Sequence, residues 1–175
     1  MRYTSDGMKI DHLALAILRR EDHIVMVQQQ TPHNNETYWV LPGGLVEAGE
    51  LITDALVREV QEEAGVQVNV IGRLVSLSQI DRPAYAAQTL AFLFEIADWQ
   101  GVLQCLDPDG EVLCVELVPQ TEAISRLQRN GSWPGIQEPL LAYLRGEMQA
   151  GAMWFYREEV EGQRLLGALQ PAHND

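Results

Sequence analysis

Apolar residues recur along this chain in two rhythms, and the places where the rhythm changes predict its elements. His12 to Leu18 is almost continuously apolar, and Ile24 to Gln28 repeats the pattern after the polar join Arg20-Glu21-Asp22. Such short runs bounded by polar residues read as two strands. Thr31 to Glu36 is polar, contains Pro32 and reads as a loop. Tyr38 to Leu41 is a short strand running into a Pro42-Gly43-Gly44 turn. From Leu51 to Ala64 the rhythm becomes helical: Ile52, Leu56, Val60 and Ala64 lie four apart, and Gly65 follows as a stop. Val66 to Gln79 is extended, with a break near Gly72. Leu90, Phe92, Phe94 and Ile96 alternate with less apolar neighbours, the period of a half-buried strand. Val112 to Val118 is a further strand. Thr121 N-caps a helix from Glu122 to Arg129, and Gln137 to Glu147 forms another. Met153 to Tyr156 is either a strand or an oligomer contact.

Strands, a helix, more strands and more helices, without regular strand–helix alternation, predict an α+β (or α/β) sandwich around a mixed β-sheet. A length of 175 residues suits one domain. No apolar run reaches the roughly 18 residues of a membrane helix, so no membrane partner is expected. Met1 to Ile10 has no apolar core of the kind a secretory signal carries, so a cytoplasmic location is expected. Cys105 and Cys114 stand alone and read as reduced residues.

Charge narrows the partners. There are 25 acids against 12 bases, a net charge of −13, and Lys9 is the only lysine. Such a surface repels a phosphate polymer, which argues against long nucleic acid. A small phosphate ester remains compatible, because one cation and a few arginines offset its charge locally.

The chemistry concentrates in the helix read from Leu51 to Ala64. Glu59, Glu62 and Glu63 stand three and four apart, within about one turn of each other. At about 100° per residue, Glu59 and Glu63 border the apolar stripe instead of opposing it. Clustered carboxylates at such a margin repel one another and lose hydration. A divalent cation relieves both problems; magnesium favours an all-oxygen octahedron completed by water and phosphate. The competing reading is a solvated acidic face, the usual fate of a charge run. The neighbouring glycines, which allow close backbone approach, tip the balance toward a ligand site.

This stretch resembles the Nudix box, G-x5-E-x7-R-E-U-x-E-E-x-G-U with U a bulky aliphatic residue. Gly44, Glu50, Arg58, Glu59, Val60, Glu62, Glu63, Gly65 and Val66 fill every fixed place, and Tyr38 to Gly44 resembles the usual lead-in. The resemblance implies an α/β/α sandwich and a magnesium-dependent pyrophosphohydrolase, with manganese as a substitute. It implies Glu59, Glu62 and Glu63 as metal ligands, with the Gly43 carbonyl as a further one. It implies that Arg58 pairs with Glu50 to hold helix against loop, and that a carboxylate, first Glu59, accepts the proton of the attacking water. Glu111 and Glu116 lie where some relatives place an extra acid, and Glu116 joins the expected metal set. The implied domain covers 1–148, with 149–175 a tail packed on it or on a partner subunit; a homodimer through Met153 to Tyr156 is one option.

The substrate implied is a small nucleotide-like diphosphate. Pro83 and Tyr85 lie near, but out of register with, the residues that mark ADP-ribose-cleaving and dinucleoside-polyphosphate-cleaving members. ADP-ribose or a nucleotide sugar is the first expectation, and a plain or oxidised dNTP the second. A non-catalytic nucleotide-sensing regulator is disfavoured by the intact box and by the lack of a basic helix-turn-helix after Met148. An isopentenyl-diphosphate-type isomerase would need a cysteine at the site. Trp39, Phe92, Phe94 and Trp99 are candidates for base stacking, and Arg82 for a phosphate or ribose, each against a plainer packing or loop role. The four histidines show no ligand spacing.

Overall fold

The computed structural model describes residues 7–31, 36–129 and 133–171. Most of the expected loop at Thr31 to Glu36 (positions 32–35), and His33 and His173, lie outside the described residues.

The elements follow in the order β1 (Lys9–Arg20), β2 (His23–Gln30), β3 (Thr37–Val40), β4 (Gly43–Leu45), α1 (Ile52–Ala64), β5 (Gln67–Arg82), β6 (Ala87–Gln100), β7 (Val112–Pro119), α2 (Gln120–Arg129), α3 (Pro134–Leu144), β8 (Ala152–Glu159) and β9 (Gly162–Leu169). A single 3-10 turn, Pro83–Tyr85, joins β5 to β6. The strands form one sheet in the order β3-β2-β1-β6-β5-β8-β9, with β4 added on β1 and β7 on β2. The sheet is mixed: β1 with β6 and β5 with β8 run parallel, and the other pairs antiparallel.

Helices cover both faces of the sheet, which explains the near-continuous apolar run of β1. Leu15 and Ile17 point into one core with Ile24, Met26, Leu93 and the apolar faces of α2 and α3. Ala14, Ala16 and Leu18 point the other way, into a core with Leu56, Val60 and Ala64 of α1. The alternating run in β6 is corrected by the same arrangement. Phe94 and Ile96 pack on the α1 side, while the intervening Ala91 and Leu93 are buried as well.

Other boundaries also moved. β4 occupies the glycines expected to form a turn, because Ala14 and Leu15 pair with Gly44 and Gly43. The helix expected to begin after Thr121 begins at Gln120, directly from the end of β7. α3 starts at Pro134 and stops at Leu144; proline suits a first helical position, where its missing N–H costs nothing. The break expected near Gly72 is a stretch of shifted register between Val68 and Ser76. Met153 to Tyr156 lies within β8, between β5 and β9. There Tyr156 is buried, Trp154 packs partly buried on the chain's own core, and Met153 and Phe155 are partly exposed. No helix among the described residues is long and apolar enough to cross a membrane.

Candidate active site

The helix α1 ends where its sequence requires. Gly65 adopts φ 69°, the left-handed conformation that closes helices, and its N–H bonds the Gln61 carbonyl. The apolar stripe anchors one side of α1, and this fixes the direction of the acids beside it.

Two consecutive glycines of β4 receive those acids. The Gly43 N–H donates to Glu63 Oε2 at 2.8 Å. A Cβ on Gly44 would stand 2.4 Å from the Glu59 carboxylate, so only glycine leaves Glu59 its place against the strand. Gly43 itself has φ 147°, and a Cβ there would meet the Ala14 carbonyl oxygen at 2.2 Å. The other Glu63 oxygen, Oε1, accepts from Gln29 Nε2 at 2.6 Å. Glu63 is only 6% exposed, and burial pushes its carboxyl up to about 8 against the two hydrogen bonds that favour the ionised form. Burial also raises Glu59, against the pull of Arg58.

Arg58 organises the remaining acids. Its guanidinium bonds Glu50 at two points, both 3.0 Å, and reaches Glu59 at 2.8 Å and Glu62 at 3.1 Å. Nη2 also donates to the Leu45 carbonyl, tying the helix to the end of β4. The pairing holds the Glu50 carboxyl below its ordinary range and lifts Arg58 above its own.

Among the described residues, no three His, Cys, Asp or Glu side chains converge as a ready ligand set. Arg58 bridges Glu59 and Glu62, and Glu63 turns to Gly43 and Gln29. The donor chemistry nonetheless suits a hard divalent cation: three carboxylates on one helical turn, all oxygen, two of them desolvated. Glu116 is held elsewhere. It pairs across the sheet with Met26, on the face covered by α2, and binds Arg126 at 2.8 Å. α1 lies on the opposite face. The Glu111 carbonyl accepts from the Gln30 N–H; burial raises the Tyr38 hydroxyl, and the Glu111 charge adds to it.

Beside the acids lies a cavity of about 350 Å³. Its walls are chiefly apolar, from Leu13, Leu15, Leu93, Leu127, Ile136 and Leu140, with polar groups from Asp11, Gln29, Tyr38, Arg82, Thr89 and Gln137. Gln29 and Gly43 serve both places: they line the cavity and hold Glu63. Arg82 lines it too, paired with Glu158 at 3.0 Å and lying over the rings of Tyr85 and Trp133. Of the aromatic residues the sequence suggests for base stacking, Trp39, Phe92, Phe94 and Trp99, none lines the cavity. Trp39 packs on the α2 side under Arg126, and Trp99 is buried, bonded to the Arg19 carbonyl. The cavity aromatics are Tyr38 and Trp133, which lie in segments whose contacts are set by chain folding, not by local pattern. Neither cysteine lines it; Cys105 bonds the Val112 carbonyl.

Comparison with known proteins bears on the family and the fold. The NUDIX domain model matches residues 10–144. The CTP pyrophosphohydrolase of Escherichia coli (strain K12) is 30% identical over 107 residues, 61% of this chain and 77% of that protein. The 8-oxo-dGDP phosphatase of Mus musculus is 34% identical over 104 residues, 58% of this chain but 30% of that protein. A nudix hydrolase of Caenorhabditis elegans, 38% identical over 79 residues, is matched over only 21% of its length. Among solved structures, a MutT protein from Bacillus halodurans superposes with TM-score 0.68 at 19% identity, covering 91% of this chain and 96% of that one, a likeness of fold. The E. coli ORF135 protein superposes with TM-score 0.63 at 25% identity, over 80% and 94%. Nudix hydrolases generally use divalent metals and act on small nucleotide substrates. With its complete box running from β4 through the following loop and α1 to Val66, and the family model matching residues 10–144, the chain belongs to the Nudix hydrolase family.

Proposed function

We propose that this chain hydrolyses a phosphoanhydride bond of a nucleoside di- or triphosphate, with magnesium, or manganese in its stead, held by Glu59, Glu62 and Glu63. The observation that carries the reading is the shared wall: Gln29 and Gly43 contact Glu63 on one side and border the cavity on the other. A substrate seated in the cavity would have its phosphates delivered to the acids. A volume of about 350 Å³, near the lower end of ligand pockets, suits one nucleoside. The similarity to a CTP pyrophosphohydrolase and to an 8-oxo-dGDP phosphatase favours this class.

Bound there, a divalent cation would withdraw charge from the phosphate oxygens and acidify the attacking water. The chain's own residues do the rest. Arg58 keeps Glu59 and Glu62 oriented and α1 fixed to Glu50 and Leu45. The Gly43 N–H and Gln29 fix Glu63. Glu59 is assigned as the proton acceptor, because it stands beside the glycine-lined approach while Glu63 is held by two donors. Tyr38 and Trp133 offer flat faces to a base. The Gly43 carbonyl is assigned as a further metal ligand.

A second reading is a nucleoside diphosphate linked to a sugar, as in ADP-ribose. It is favoured by Arg82, a cation on the cavity wall immediately before the Pro83–Tyr85 turn. The test is product chromatography from a panel of dNTPs, CTP, oxidised dGTP and dGDP, ADP-ribose and nucleotide sugars, with magnesium and with chelator. Chelator-sensitive cleavage of nucleoside phosphates supports the first reading, and preference for ADP-ribose or a nucleotide sugar the second. Absence of cleavage by folded protein contradicts both.

A further inference from the structure

We infer that Gln29 is a positioning residue that holds the Glu63 carboxylate in place for the metal, and that Tyr38 anchors the far end of the Gln29 amide. The inference rests on the reading of Glu63 as a metal ligand.

The geometry is a chain of three side chains from three elements. The Tyr38 hydroxyl of β3 donates to Gln29 Oε1 at 3.1 Å. The Gln29 Nε2 of β2 donates to Glu63 Oε1 of α1 at 2.6 Å. Gln29 and Tyr38 are direct cross-strand partners, so the sheet fixes their spacing. Both line the cavity.

An amide has an accepting end and a donating end of nearly equal shape, so its hydrogen bonds alone choose the orientation. If Gln29 were reversed, its carbonyl oxygen would face an acceptor-only carboxylate in a buried place, and the two would repel. The carboxylate therefore selects the orientation in which Nε2 faces it, and the phenol, able to donate, bonds the Oε1 left at the other end. The donor then holds one carboxylate oxygen while the Gly43 N–H holds the other. A group that hydrogen-bonds a metal ligand from behind typically alters metal affinity by about 10–100-fold.

The experiment uses Gln29→Met, which keeps the shape and removes both hydrogen bonds, and Tyr38→Phe, which removes only the hydroxyl. Manganese alone is titrated into each protein by calorimetry, without nucleotide. Melting in chelator is recorded, and turnover is followed from low to excess manganese. The expected result is about tenfold weaker manganese binding for Gln29→Met, a smaller loss of the same kind for Tyr38→Phe, little change in melting, and recovery of most turnover at excess manganese. Manganese affinity within twofold of the parent in both variants would overturn the inference, as would a turnover loss that excess manganese does not restore. Should Gln29→Met fail to fold, Tyr38→Phe decides by the same criteria. Glu63→Gln separates the two levels: if it binds manganese and turns over like the parent, the metal-site reading itself falls. If it loses both while Gln29→Met and Tyr38→Phe retain both, only the positioning role falls.

Discussion

Arg58 grips Glu50 at two points, Nε to Oε1 and Nη2 to Oε2, each at 3.0 Å. A planar fork on a carboxylate fixes direction as well as distance, and the same guanidinium spans Glu59 and Glu62. Lysine offers a point charge in place of the fork. Arg58→Lys should therefore keep the fold and lose about tenfold or more in kcat/KM, with the metal requirement shifted to higher concentration. Steady-state kinetics over a magnesium series checks it; parent-like kinetics would mean the fork has no role in placing the acids.

The two glycines of β4 should respond differently to alanine. At Gly43 the new Cβ meets backbone at 2.2 Å and φ is 147°, so nothing nearby can yield cheaply. Gly43→Ala should cost about 3 kcal/mol or more, a drop in melting of roughly 6 °C or more. At Gly44 the obstacle is the Glu59 carboxylate at 2.4 Å, the end of a flexible side chain. Gly44→Ala should melt within a few degrees of the parent yet lose most turnover, because Glu59 is displaced. Melting curves beside turnover distinguish the two.

Glu63 carries a cost in the metal-free protein. A carboxylate 6% exposed, next to Glu59, is disfavoured in its ionised form. Glu63→Gln removes the ionisable carboxyl, and with it the cost of neutralising it on burial, with little change in volume. In chelator at neutral pH the variant should melt higher than the parent, by about 2–4 °C for each kcal/mol relieved, while losing most turnover in magnesium. A lower melting point would show that the two hydrogen bonds outweigh the burial of the charge.

Trp133 tests the cavity independently of the acids. If its ring carries a base, Trp133→Ala should raise KM by about tenfold, within the usual range of base–aromatic stacking, and leave the magnesium dependence of kcat unchanged. Glu116→Gln serves as a counterpart: facing α2 and bound to Arg126, it should alter neither KM nor metal dependence more than twofold.

Much of this candidate site is legible in the sequence, and for a local reason. The acids, Arg58 and Gly65 lie on one helix and its cap, so spacing along the chain translates directly into spacing in space. What stayed hidden depends on pairing between distant segments. Gln29 meets Glu63 because β2 runs beside the end of α1, a contact across 34 positions. Glu116 appeared suitable by type and position, but strand register turns it to the other face of the sheet, since a shift of one residue reverses every side chain. The edge strand β9 has weak local signal: Gly162 to Leu169 is mostly exposed and interrupted by Gly167. The β4 glycines read as a turn because their pairing partner, β1, lies far back in the chain.

The most direct test of the account is turnover of the parent and of Glu63→Gln, side by side, on the best nucleotide from the panel, in magnesium and in chelator. The account predicts that the parent releases product in magnesium and stops in chelator, and that the folded variant stays largely inactive in both. Cleavage by the parent in chelator, or full activity of Glu63→Gln in magnesium, would contradict it.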